Sequence, residues 1–206
     1  MSQVLTEQRL GQNSFALHLS PAVELSDEQF FALCRLNRDL RLERTAEGDI
    51  IIMAPTGAAT GIRNADITMQ LGIWAKRDGR GVVFDSSSGF KLPNGADRSP
   101  DAAWIPRARL ATVANGAKER FLPLCPDFVI ELLSPSDSLA VVRAKMTEYI
   151  ENGSELGWLI DPDLRQVHVY RPGAAVVVLK EIAEIAADPE LPGFVLYLRE
   201  IWEPDV

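Results

Sequence analysis

PDFVIELLSPSD, residues 126–137, is the stretch on which the reading of this chain turns. Phe128, Val129 and Ile130 precede Glu131; Leu132 and Leu133 follow it. A short apolar run bounded by Pro126 and SPSD reads as a buried strand. Alternation then puts Phe128, Ile130 and Leu132 on one face, with Val129, Glu131 and Leu133 on the other. Glu131 therefore aims a carboxylate at a layer that should hold a helix. A lone ionised carboxylate in low dielectric is costly, so it needs a cationic partner, backbone donors, a proton or a metal. It also lies near the strand's C-terminal end, where open α/β sheets bind ligands.

Asp101 repeats the idiom. In SPDAAWIP, residues 99–106, a Pro-Asp pair again precedes apolar residues, which read as a strand. If the two strand ends are adjacent, carboxylates roughly 5 Å apart at an effective dielectric near 20 repel by about 3 kcal/mol. Something positive should then stand between them. Magnesium or manganese, with oxygen ligands and several retained waters, would serve.

Two more residues are candidates for this site. The segment SLAVVRAKMTEYIENG, residues 138–153, reads as a helix with Leu139, Val142, Met146, Tyr149 and Ile150 as its apolar stripe. Lys145 lies on that stripe's flank, where it can reach over the core's edge toward the preceding strand. Glu43 sits in the first arm of a hairpin, LRLERTAEGDIIIMAP, with Glu47-Gly48-Asp49 as the turn. Alone it is a strand-surface charge; it joins the site only if the fold brings it to the same crevice.

The remaining chain alternates helix and strand. SDEQFFALCRL, residues 26–36, reads as a helix capped by Ser26 or Asp27, with Phe30, Phe31, Leu33 and Leu36 on its apolar face. Residues 58–77 carry Ile67, Leu71 and Trp74 at helical spacing, ended by Gly79 and Gly81. VVFDSSSGFKLPNG, LGWLID, QVHVYR and AVVVLKEI supply strands, while residues 107–123 are irregular or partly helical. The order predicts an α/β or α+β domain with a mixed sheet flanked by helices. Core burial is the commoner fate of strands such as AAVVVLKEI, and a homodimer surface is the other.

Bulk properties narrow the function. With 206 residues, 47% hydrophobic and 24% charged, the chain can build one substantial core. We expect a single domain over residues 1–206, with about the first 20 as an extension. Cys34 and Cys125 form no CxxC pair. The start MSQVLTEQRLGQ lacks a secretory pattern, and no apolar run approaches the roughly 20 residues that cross a bilayer. The expectation is a cytoplasmic protein without a membrane partner. A net charge of −8 argues against a nucleic-acid coat but not against an enzyme touching nucleic acid over a small footprint. Local basic groups exist in Arg35, Arg38, Arg41 and Arg44, and in Lys76, Arg77 and Arg80. With only His18 and His168, no GxSxG elbow and no zinc-ligand spacing, triad and zinc chemistry are poorly supported.

SPDAAWIP, PDFVIELLSPSD and KMTEYIENGSELGWLIDP together resemble the Uma-two family of restriction endonucleases, within the PD-(D/E)XK nuclease superfamily. The hairpin ERTAEGDIIIMAPTG and the closing LPGFVLYLREIW look similar too, so the resemblance runs from about Leu25 to Trp202. It implies a restriction-endonuclease-like core and a Mg2+- or Mn2+-dependent endonuclease acting on DNA. Carried over by position, Asp101 is the first acid and Glu131 the second, both holding the metal. Glu43 matches an early glutamate that binds the metal, directly or through water, or orients its neighbours. The superfamily's usual lysine, two residues after the second acid, is replaced here by Leu133. Lys145 matches the family's lysine on the next helix, placed to orient or deprotonate the attacking water. Ser134 and Asp137 are expected to cap that helix. The rival expectation is a weak or inactive nuclease fold that binds DNA or a protein without cutting.

Overall fold

The computed structural model describes residues 14–53 and 55–205. Strand β1 (Ser14–Leu17) leads to helix α1 (Asp27–Leu36), then to the hairpin of β2 (Arg41–Arg44) and β3 (Ile50–Met53). Ser26 caps α1 in a reciprocal box with Gln29, satisfying two otherwise orphan donors. Gly48, at φ 95°, makes the tight turn that the hairpin requires. Phe30 of α1 packs with Leu42 and Ile50 of the hairpin as a small satellite core. Leu36, expected on the buried face, is instead 82% exposed, because it stands at the helix's last position.

Helix α2 (Ala58–Asp78) ends at Gly79, which adopts the left-handed conformation. Then come β4 (Gly81–Asp85), β5 (Phe90–Lys91), β6 (Asp97–Arg98), β7 (Ala102–Pro106) and the short α3 (Arg107–Ala111). Strand β8 (Phe128–Leu132) is followed by α4 (Leu139–Glu151), β9 (Leu156–Asp161), β10 (Gln166–Tyr170) and β11 (Val177–Lys180). The chain closes with β12 (Glu184–Ala186), β13 (Val195–Tyr197) and α5 (Arg199–Trp202). Residues 107–123, unclear from sequence, hold α3 and a single 3₁₀ turn.

Two larger sheets form. One has the order β1-β3-β2-β6-β5, the other β11-β10-β9-β8-β7-β4. The second is mixed: β8 runs parallel to β9 and antiparallel to β7. That parallel pair needs a crossover, and α4 provides it. Alternation along β8 then sorts the core into two layers. Phe128, Ile130 and Leu132 join Ile67 and Leu71 of α2, with Phe194 and Ile201, on one face. Val129 joins Met146 and Tyr149 of α4 on the other. Glu131 is on the α4 side.

The expectation of core burial for AAVVVLKEI holds only for Leu179 and Ile182, which pack against the main core. Val176, Val177 and Val178 are 45%, 51% and 41% exposed, because β11 forms the edge of its sheet. Among the described residues, no helix is long and apolar enough to cross a membrane.

Candidate active site

Register brings the first two acids together. Ala102 pairs with Ile130 across β7 and β8, and one further step sets Asp101 opposite Glu131. Directly opposed residues of an antiparallel pair face the same side. The two strand ends are tied by the Leu132 amide, which donates to Asp101 Oδ2 at 2.9 Å. Both acids are buried and both line one cleft of about 1590 Å³.

The hairpin delivers the third acid. Glu43, on β2, is 3% exposed and lines the same cleft. Its Oε1 accepts from the Ser99 amide at 2.9 Å and from Lys145 Nζ at 2.8 Å, while Oε2 accepts from Arg98 Nη1 at 3.2 Å. Ser99 is two residues before Asp101, so this contact locks the hairpin sheet to the start of β7.

Lys145 completes the cluster from α4. Its ammonium lies 2.8 Å from Glu43 Oε1 and 2.8 Å from Glu131 Oε1, and its side chain is only 12% exposed. The Tyr149 hydroxyl, one helical turn on, donates to the same Glu131 Oε1 at 3.0 Å. All four residues assigned from the sequence thus meet in one cleft.

Four further residues were missed. Arg41 Nη1 donates to Asp101 Oδ1 at 3.2 Å, and its Nη2 donates to the Ser99 carbonyl. Asn64 of α2 reaches the same Asp101 oxygen at 3.5 Å. Arg98 Nε bonds Glu148 at 2.6 Å, bridging it to Glu43. Tyr149, which the sequence marks only as part of the apolar stripe, adds its hydroxyl to Glu131. Arg41 was legible, since it shares a strand face with Glu43 at a spacing of two; nothing in the sequence marks Arg98. Ser134 and Asp137 also differ from expectation. The Ser134 amide and hydroxyl both donate to Asp137 Oδ2, at 2.8 and 2.7 Å, closing the turn on itself. Ser138 stands at the helix N-cap without a side-chain capping bond.

The electrostatics separate the acids. Burial pushes the Glu43 carboxyl upward, but Lys145, Arg98 and Arg41 together outweigh it and hold it down at about 2. Burial also raises Glu131; Lys145 opposes, Asp101 and Glu43 add repulsion, and the balance leaves it near 7. Tyr149 is driven well above 10 by burial and by the same two glutamates, so it stays a donor. At full ionisation Glu43, Asp101, Glu131 and Glu148 face Arg41, Arg98 and Lys145, leaving one negative charge over.

Among the described residues, no three acidic, imidazole or thiol groups form a ready-made metal cage. Magnesium does not require one; it binds through one or two carboxylates and keeps waters. The donors here are all oxygen, and Glu131 Oε2 accepts no hydrogen bond among the described residues while its partner oxygen is held by Lys145 and Tyr149. Asp101 and Glu131 fit such a cation. Glu43, with both oxygens engaged, fits an orienting role better than a direct ligand. Neither histidine lines the cleft.

Comparison with known proteins agrees with this architecture. Residues 27–199 match the family Uma2, described as "Putative restriction endonuclease". A crystal structure of "a putative nuclease belonging to DUF820" from Anabaena variabilis aligns with a TM-score of 0.67 at 20% identity. The alignment covers 78% of this chain and 89% of that one, and at such identity it speaks for the fold. No curated protein matches the chain. The family match spans the hairpin, both acid-bearing strands and α4, and the chain belongs to the Uma2 family.

Proposed function

We propose that this cleft hydrolyses phosphodiester bonds in DNA, with Mg2+ or Mn2+ held by Asp101 and Glu131. The observation that carries the reading is the placement of Lys145 Nζ on Glu131, with Asp101 opposite, in an open cleft. A bound cation would polarise a phosphoryl oxygen and lower the pKa of a water. Lys145 is positioned to orient that water and to offset charge growing on phosphorus. Glu43 holds the lysine, and Arg41 holds Asp101 in the direction its backbone bond sets. Arg35 and Arg38, exposed on the cleft's lining, supply positive charge for a backbone polyanion despite the chain's net acidity.

The test is plasmid nicking by purified protein in Mg2+ or Mn2+. Glu131→Ala and Lys145→Ala should each abolish it. Cleavage that survives both changes belongs to another site or another protein. No nicking by the wild type, together with DNA binding that ignores metal, would favour the rival reading of a binding module.

A further inference from the structure

Two donors meet on one oxygen of Glu131. Lys145 Nζ and the Tyr149 hydroxyl both reach Oε1, at 2.8 and 3.0 Å, and come from the same face of α4, four residues apart. Tyr149 is fully buried, and the lysine ammonium lies 5.8 Å from its ring centroid. A glutamate's terminal torsion is soft and nearly two-fold, so without such contacts the carboxylate would sample several orientations. With them its Oε1 is turned to the helix and Oε2 is left for the cleft.

We propose that Tyr149 is a positioning residue for the metal site: its hydroxyl fixes the Glu131 carboxylate so that Oε2 is presented to the cation. This rests on the metal-dependent reading above. Lys145 alone cannot do the same work, because its ammonium is shared between Glu131 and Glu43 and its one hydrogen bond among the described residues goes to Glu43. The tyrosine's rigid, buried ring, with only two side-chain torsions, supplies the fixed direction. Its burial makes it a neighbour of the ligand rather than of substrate, so its influence passes through Glu131. Partners of this kind typically change metal affinity by 10- to 100-fold.

The experiment is Mn2+ binding to chelator-treated, full-length protein by calorimetry, comparing wild type with Tyr149→Phe. Phenylalanine keeps the ring and its packing, and work at 10 °C keeps a variant lacking one hydrogen bond folded. The expected result is Mn2+ affinity weakened about tenfold or more, with the metal-free melting temperature changed by only a few degrees. In nicking assays the half-saturating Mn2+ concentration should rise by a similar factor, with the rate at saturating Mn2+ within about threefold of wild type. Mn2+ affinity within twofold of wild type would overturn the proposal and leave Tyr149 as core packing. Wild-type protein that binds no Mn2+ would overturn the underlying metal reading instead, so the two failures are distinguishable.

Discussion

Lys145 Nζ lies 2.8 Å from Glu131 Oε1, and the same ammonium is 2.8 Å from Glu43 Oε1. A buried cation thus stands between two buried carboxylates that come from different sheets. Its removal leaves both without their nearest counter-charge. Lys145→Met should lower metal-free stability by about 3–5 kcal/mol, the range for breaking a buried pair from one side. A divalent cation then becomes a substitute for the ammonium. In thermal melts, Mn2+ should raise the melting temperature of Lys145→Met more than that of wild type. Equal increments would mean that lysine and cation answer to different carboxylates.

Much of this arrangement is legible in the sequence. Period-two alternation placed Glu131 on the face that α4 covers, and Val129 and Tyr149 do share that layer. The Pro-Asp idiom found Asp101 because a strand start announces itself locally. What could not be read is pairing between segments distant in the chain. Arg98 closes the site through Glu43, 55 positions away, and Glu148, 50 positions away, contacts that no local pattern encodes. The exposure of the β11 valines is hidden from the sequence for a related reason: apolar composition fixes a strand's type, while its place at an edge depends on which neighbour it lacks.

Glu131 should also leave a mark on the pH dependence of folding. An unfolded chain releases this proton near 4.5, and the folded one near 7. Between those values the folded state binds the extra proton, so stability falls as pH rises through the window. The depressed Glu43 acts lower, losing stability as pH drops from 4.5 toward 2, so the two windows do not overlap. Glu131→Gln removes the upper effect. With chelator present, urea unfolding at pH 5 and pH 8 should show the variant gaining on wild type at the higher pH. A stability difference that is the same at both values would place the Glu131 titration outside this window.

Arg35 and Arg38 offer the last prediction, because they contact the cleft without entering the acid cluster. Both are exposed at the end of α1 and just beyond it, and both line the cleft. Arg44, from the same basic run, is spent elsewhere: it bonds Asp97 at 2.7 Å and lies over the Phe30 ring. Arg35 and Arg38 make no ion pair among the described residues, so they suit contact with a phosphate backbone, which carries no sequence information. Reversing both, Arg35→Glu with Arg38→Glu, should weaken DNA binding about equally for unrelated sequences. Each lost phosphate contact reduces the slope of log affinity against log salt by about 0.9, so the double variant should lose about 2. Mn2+ binding, which we propose rests on Asp101 and Glu131, should stay as in wild type. A salt slope that does not change would move the proposed DNA contact away from Arg35 and Arg38 to other residues that line the cleft, such as Ser134–Ser138.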